Sequence, residues 1–123
     1  MSILLDTNIL VDYARRLPTA VAWLKSLPEP PQISVVSLLE LHAGARSQRE
    51  EREIEAICAP LRSLPVIAEI AKRAGSHLRH FASSYGIDIP DAIIAATAEH
   101  PGLRLATLNV KHFPMFPRLK PAY

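Results

Sequence analysis

Cysteine is nearly absent: Cys58 is the only one in 123 residues. That excludes an internal disulfide and any zinc site built from several thiolates, and it fits a reducing compartment such as the cytosol. Cys58 stands between Ile57 and Ala59 in a helical pattern and reads as a small hydrophobe. Long hydrophobic runs are also missing. No stretch approaches the roughly 18 apolar residues of a membrane span, so no membrane association is expected. An apolar segment follows Met1-Ser2 directly, without a basic leader, and a soluble cytoplasmic protein is the expectation. Aromatics are few at 6%, yet 49% of the residues are hydrophobic, which is too many for a disordered chain. After Glu99 no acidic side chain remains, while Arg104, Lys111, Arg118 and Lys120 follow, in a chain whose net charge is only +2. Such an end either lies along an anion such as nucleic acid or is a solvated tail. The length supports one core, so residues 1–123 are expected to form a single domain.

What is present begins with Ile3-Leu4-Leu5, an apolar run that reads as a strand buried on both faces, the mark of a parallel sheet. It stops at Asp6. Open α/β sheets bind ligands outside the carboxyl ends of their strands, so Asp6 sits where chemistry is placed; equally, Asp6-Thr7-Asn8 is a good helix start and Asp6 a good cap. Ile9, Leu10 and Tyr13 give a short helix ending at Arg15-Arg16, and Pro18 opens a second with Val21, Trp23, Leu24 and Leu27 on its buried side. After the break at Pro28-Glu29-Pro30-Pro31, Gln32 to Val36 is the second strand expected. Ser37-Leu38-Leu39-Glu40 matches a capping box, which gives Glu40 a structural reading beside a catalytic one.

Acids and bases alternate at helical spacing from Arg49 to Ala59 and form a charged outer face. Pro60 and Pro65 bracket a turn. Ile67 to Tyr85 keeps the helical period, with His77 and His80 on its polar side and no third metal ligand evident nearby. Gly86 ends that helix; Asp88 caps the next, with Pro90 in the first turn and Asp91 near the same N-terminus. Leu103 to Leu108 is the third strand expected, followed by Asn109, and Lys111 to Pro117 reads as loop.

Asp6, Glu40, Asp91 and Asn109 thus recur where buried elements meet solvent, and parallel neighbouring strands would bring them to one sheet edge. Two carboxylates about 5 Å apart repel by roughly 3 kcal/mol at an effective dielectric near 20. Three would need a cation, and oxygen-only ligands favour magnesium or manganese.

The stretches Asp6 to Leu10, Ser37 to Leu41, Pro90 to Ala98 and Thr107 to Phe113 resemble, in order, the successive motifs of PIN-domain ribonucleases, in particular the VapC toxin family of bacterial and archaeal toxin–antitoxin pairs. The similarity runs from Ile3 to about Phe116. It implies an α/β, three-layer PIN-like fold with a central, mainly parallel sheet flanked by helices. It also implies a Mg2+- or Mn2+-dependent endoribonuclease with Asp6, Glu40 and Asp91 in the metal site and Asn109 beside them. Thr7, Asn8, Thr107 and His112 are then the groups that orient the carboxylates, and Arg104 and Lys111 are candidates for steering the RNA backbone. Many relatives carry a fourth acid three residues after the asparagine; here His112 stands in that place, adding no negative charge, so weaker metal binding is expected. The family further implies an RNA substrate, often tRNA or ribosomal RNA, a homodimer, and a cognate VapB-type antitoxin. The helix faces near Trp23 and Leu41 are a candidate groove for that antitoxin, or ordinary core.

Rival classes fit less well. A haloacid dehalogenase-type phosphatase needs a second acid two residues after the first, where Asn8 stands. A phosphoacceptor receiver domain would find its late threonine and lysine in Thr107 and Lys111, but needs an aspartate after a middle strand, where Glu40 follows. A catalytically weak or silent PIN-like RNA-binding module is the remaining alternative.

Overall fold

Leu4 and Leu5, side by side in β1 (Ile3–Leu5), are both fully buried but on opposite faces of the sheet, since successive strand residues alternate. Leu5 joins Ile9, Leu10, Ile33, Leu41 and Ile54 on one side; Leu4 joins Ile94, Ala95, Ala98, Leu105 and Phe113 on the other. A strand buried on both faces is therefore the middle of three layers. The computed structural model describes residues 2–123.

In chain order β1 is followed by α1 (Thr7–Ala14), α2 (Pro18–Lys25), β2 (Gln32–Ser34), α3 (Val35–Ala43), α4 (Gln48–Cys58), β3 (Arg62–Leu64), α5 (Ala68–Tyr85), α6 (Ile89–Glu99) and β4 (Arg104–Ala106). The sheet order is β3-β2-β1-β4 and every pairing is parallel, with Leu5 opposite Ile33 on one side and Ala106 on the other. Helices α1, α3 and α4 supply residues to the first core, and α6 with Phe113 covers the second. The small residues Ala92, Ala95, Ala96 and Ala98 are nearly inaccessible, as expected of a helix lying close to its neighbours. Helix α5 packs on α6 through Ile70, Ala74, Ala92 and Ala96. The expected α/β, three-layer fold with a parallel sheet and flanking helices is what forms. Among the described residues no helix is long and apolar enough to cross a membrane.

Local chemistry sets several boundaries as read. Pro18 opens α2, Gly86 closes α5 in the left-handed region at φ 66°, and Asp88 and Asp91 form a reciprocal capping box at the start of α6 with Pro90 in its first turn. His77 pairs with Glu99 across the α5–α6 contact, and His80 bonds the Ser76 carbonyl.

Several expectations are corrected. The second strand ends at Ser34, because the Ser34 hydroxyl accepts from the Val36 N–H and starts α3 two residues earlier than the β-branched run suggests. Ser37 is consequently inside the helix and caps nothing; its hydroxyl bonds Thr7 instead. The third strand is confined to Arg104–Ala106, since Leu108 lies past the paired register. A strand, β3, occupies Arg62–Leu64 in the stretch read as a turn, and a 3₁₀ turn at Val110–His112 interrupts the stretch read as loop. Of the helix faces near Trp23 and Leu41, Leu41 is buried in the first core, while Trp23 packs against the same cluster but stays partly exposed, and Leu39 beside Leu41 is exposed.

Candidate active site

All four strands point the same way, so the residues just past their carboxyl ends gather at one edge of the sheet. Asp6 follows β1 immediately. Its carboxylate is 7% exposed and held by two donors, the Thr7 N–H at 2.8 Å on Oδ1 and the Thr107 hydroxyl at 2.7 Å on Oδ2. Thr107 follows β4 immediately, is itself fully buried, and also accepts from the Asn109 N–H at 2.9 Å. Asp6 thus caps α1 with one oxygen, and its other oxygen accepts from Thr107 at the sheet edge. Burial raises the Asp6 pKa above the ordinary carboxylate value, the Thr107 and Thr7 bonds lower it, the negative charge of Glu40 raises it, and His112 lowers it.

Glu40 enters from α3. Its Oε1 accepts from the Thr7 hydroxyl at 2.7 Å, and the Thr7 oxygen lies 2.8 Å from the Ser37 hydroxyl. Thr7 has one proton and gives it to Glu40, so Ser37 donates to Thr7. A relay of two hydroxyls fixes Glu40 beside Asp6. Ser37 is the functional neighbour that sequence reasoning misassigned. Its spacing of three from Glu40 was the available signal, since residues i and i+3 share a helix face.

Asp91 comes from the first turn of α6. Its Oδ2 accepts from the Asp88 N–H at 3.2 Å and lies 3.1 Å from His112 Nδ1. With only 15% of its side chain exposed and Asp88 adjacent, its pKa is pushed up to about 7, chiefly by burial and then by Asp88, while His112 pulls it down. The helix dipole favours a charge here, but burial wins. His112 Nδ1 also lies 2.8 Å from Asn109 Nδ2. That nitrogen donates to Asp91 if it carries the ring proton and accepts from Asn109 if it does not, so the tautomer of His112 decides which neighbour it serves. Asn8 lies next in α1, and its Oδ1 is buried without a hydrogen-bond partner among the described residues.

Asp6, Glu40, Asp91, Asn109, Thr7, Thr107 and His112 are therefore linked directly or through one another at one sheet edge. Lys111 sits in the 3₁₀ turn beside His112. Arg104 does not join them: it opens β4, opposite Ile3, at the other end of the strand from Thr107. Among the described residues no group of three histidine, cysteine, aspartate or glutamate side chains is already set to enclose an ion. The donor set nevertheless fits a divalent cation. Asp6 and Glu40 have no Lys or Arg partner within ion-pair distance among the described residues, and Asp91 has only His112. Oxygen acids without a fixed positive charge beside them, two of them with raised pKa values in Asp6 and Asp91, suit a hard cation such as Mg2+ or Mn2+.

Comparison with known proteins identifies the family. The family profile described as the PIN domain matches residues 3–116. "Ribonuclease VapC10" of Mycobacterium tuberculosis is 44% identical, over 98% of this chain and 92% of its own length. "Ribonuclease VapC19" of the same species is 40% identical over 98% of both chains. Among solved structures, a toxin-antitoxin complex from Klebsiella pneumoniae superposes with a TM-score of 0.85 at 30% identity, covering 99% of this chain and 98% of that one. The sheet-edge acids and these likenesses together make the chain a member of the PIN-domain family, in the VapC group of ribonuclease toxins.

Proposed function

We propose that this protein is a metal-dependent endoribonuclease, the toxin of a VapBC-type toxin–antitoxin pair, hydrolysing phosphodiester bonds in structured or single-stranded RNA. The target class is tRNA or ribosomal RNA, whose cleavage arrests translation in the cytoplasm. One observation carries the reading: three acids from distant parts of the chain are linked at one sheet edge, two of them with raised pKa values, and none has a lysine or arginine within ion-pair distance among the described residues. The Klebsiella pneumoniae relative was solved as a toxin-antitoxin complex, which supports a cognate antitoxin as partner here. A homodimer belongs to the same family reading.

Asp6, Asp91 and Glu40 would hold Mg2+ or Mn2+. Such an ion offsets negative charge on the phosphate and makes water a better nucleophile at neutral pH. Glu40, fixed by the Thr7 hydroxyl, is placed to accept the proton of the attacking water. Thr7 and Thr107 keep Glu40 and Asp6 in orientation by occupying one oxygen of each. Asn8 flanks them from α1. At the rim, the Asn109 amide and the His112 ring present N–H groups to a phosphate oxygen, and Lys111 adds a positive charge there.

Purified protein incubated with total RNA is expected to cleave it with Mg2+ or Mn2+, to stop when chelator is added, and to lose at least about a thousandfold in rate in the Asp91→Asn variant. Equal cleavage in every lane would assign the activity to a contaminant. RNA binding without cleavage in any lane would favour the silent RNA-binding module.

A further inference from the structure

The sheet ends at β4, whose outer edge has no further strand among the described residues. A cleft of about 820 Å³ runs along that edge, from Gly102 before the strand to Ala106 at its end, and its outer wall is the C-terminal segment from Met115 to Ala122. That wall is fixed at both ends. Phe116 N–H donates to the carbonyl of the fully buried Phe113 at 3.0 Å. At the far end Ala122 N–H donates to the Thr107 carbonyl at 2.9 Å, and the Tyr123 hydroxyl donates to Asp12 at 2.7 Å with its ring beside Trp23. Arg118 and Lys120 are exposed between these ties, so they project from a held segment rather than a loose tail.

Positive charge is concentrated in this cleft. Arg73, Arg104, Arg118 and Lys120 line it against one acid, Glu99, which already pairs with Arg73 at 3.7 Å and with His77. Arg104, Arg118 and Lys120 form no ion pair among the described residues. The whole chain carries only +2, so four bases and one acid here leave the rest of the molecule net acidic. By formal charge this face is the one that favours an anion. Between the basic residues the lining is apolar: Leu105 belongs to the second core cluster and Leu119 packs on it, and Phe116, partly buried at its edge, supplies one aromatic ring on which an unpaired nucleobase can stack. The cleft also leads somewhere: β4 forms its floor and passes directly into Thr107, whose hydroxyl holds Asp6, roughly 10 Å along the strand from Arg104.

We propose that this cleft is a second contact surface for the RNA substrate, gripping the phosphate backbone of a single-stranded segment that flanks the bond to be cut. Arg73, Arg104, Arg118 and Lys120 track phosphates while Phe116 offers a stacking face. The inference rests on the ribonuclease reading above. It moves Arg104 from the reaction edge to the approach, and it accounts for the acid-free end of the chain.

The test is binding of a fluorescein-labelled single-stranded RNA oligonucleotide, in chelator to prevent cleavage, by wild type and by the exposed double variant Arg118→Gln/Lys120→Gln. The variant is expected to bind about tenfold more weakly at low salt, with the slope of log affinity against log salt reduced by about 1.4, roughly 0.7 for each lost phosphate contact. In cleavage assays KM should rise by a similar factor while kcat stays within about twofold. Arg49→Gln/Arg52→Gln removes the same charge from α4 and should leave affinity and slope as in wild type. Unchanged binding by the cleft variant would overturn the proposal and leave the nuclease reading intact. So would displacement of the RNA by polyglutamate as effectively as by unlabelled RNA, which would assign the cleft to an acidic polypeptide. Loss of metal-dependent cleavage in wild type would remove the nuclease reading, and the chelated binding titration would still decide the cleft.

Discussion

Replacing Asp91 by asparagine is expected to abolish cleavage and, at pH 8, to make the metal-free protein more stable. In the folded chain burial and the neighbouring Asp88 push the Asp91 pKa from an ordinary 3.8 to about 7. Below pH 4 the group is protonated whether folded or not, and it adds nothing to the pH dependence. Between pH 4 and 7 the unfolded chain releases a proton that the folded chain keeps, so stability falls as pH rises. Above pH 7 the full cost is present, on the order of 4 kcal/mol at most for a displacement of this size. Asparagine carries no charge to bury, and its side-chain oxygen still accepts from the Asp88 N–H that closes the capping box. Urea unfolding in chelator at pH 4.5 and pH 8 should find little difference at the lower pH and a variant more stable by a few kcal/mol at the higher. A variant less stable than wild type by the same amount at both values would make Asp91 an ordinary cap. Stabilisation coupled to lost activity is the signature of a site that holds strain for function.

Phe113→Ala should cost about 3–5 kcal/mol, a large share of the roughly 5–15 kcal/mol that holds a domain of this size together. Phe113 is fully buried and belongs to the cluster containing Leu4 and Ile94. Leu4 lies two residues before Asp6, Ile94 three after Asp91, and Phe113 itself follows His112. One ring therefore braces three of the segments that meet at the acidic edge. A melting temperature lower by more than about 10 °C is expected, with cleavage falling at temperatures where the variant is still folded. A melt within a few degrees of wild type would mean that the surrounding residues collapse into the space.

The parts of this molecule that were legible in its residues are those where local chemistry and tertiary packing agree. Gly86 needs a left-handed backbone, Pro18 and Pro90 fit first turns, and Asp88 bonds the N–H groups of its own helix, so each boundary is fixed within a few residues of chain. β1 is legible because burial on both faces demands Ile3, Leu4 and Leu5 in succession. β3 was not legible: Arg62 and Ser63 are exposed and Leu64 only partly covered, so a short edge strand leaves neither alternation nor a hydrophobic run. At α3 two serines compete to start one helix, and Val35 and Val36 favour a strand; pairing of β2 with its neighbours ends at Ser34 and hands the cap to it. Asp6 and Asp91 could be found, since one follows β1 and the other lies in the first turn of α6, whereas Glu40 stands in the middle of α3 and was read three residues after a cap that Ser34 supplies instead. The hydroxyl relay from Ser37 through Thr7 to Glu40 joins residues about thirty positions apart and belongs to the folded chain alone.

The proposal that Asp6, Glu40 and Asp91 together hold a cation is tested most directly by titrating the protein with Mn2+ above pH 7.5 and following the free-ion signal by electron paramagnetic resonance. Wild type is expected to remove the ion from solution, and Asp6→Asn, Glu40→Gln and Asp91→Asn are each expected to weaken that uptake by about tenfold or more. An undiminished free-ion signal with wild type, or equal uptake by all four proteins, would contradict it.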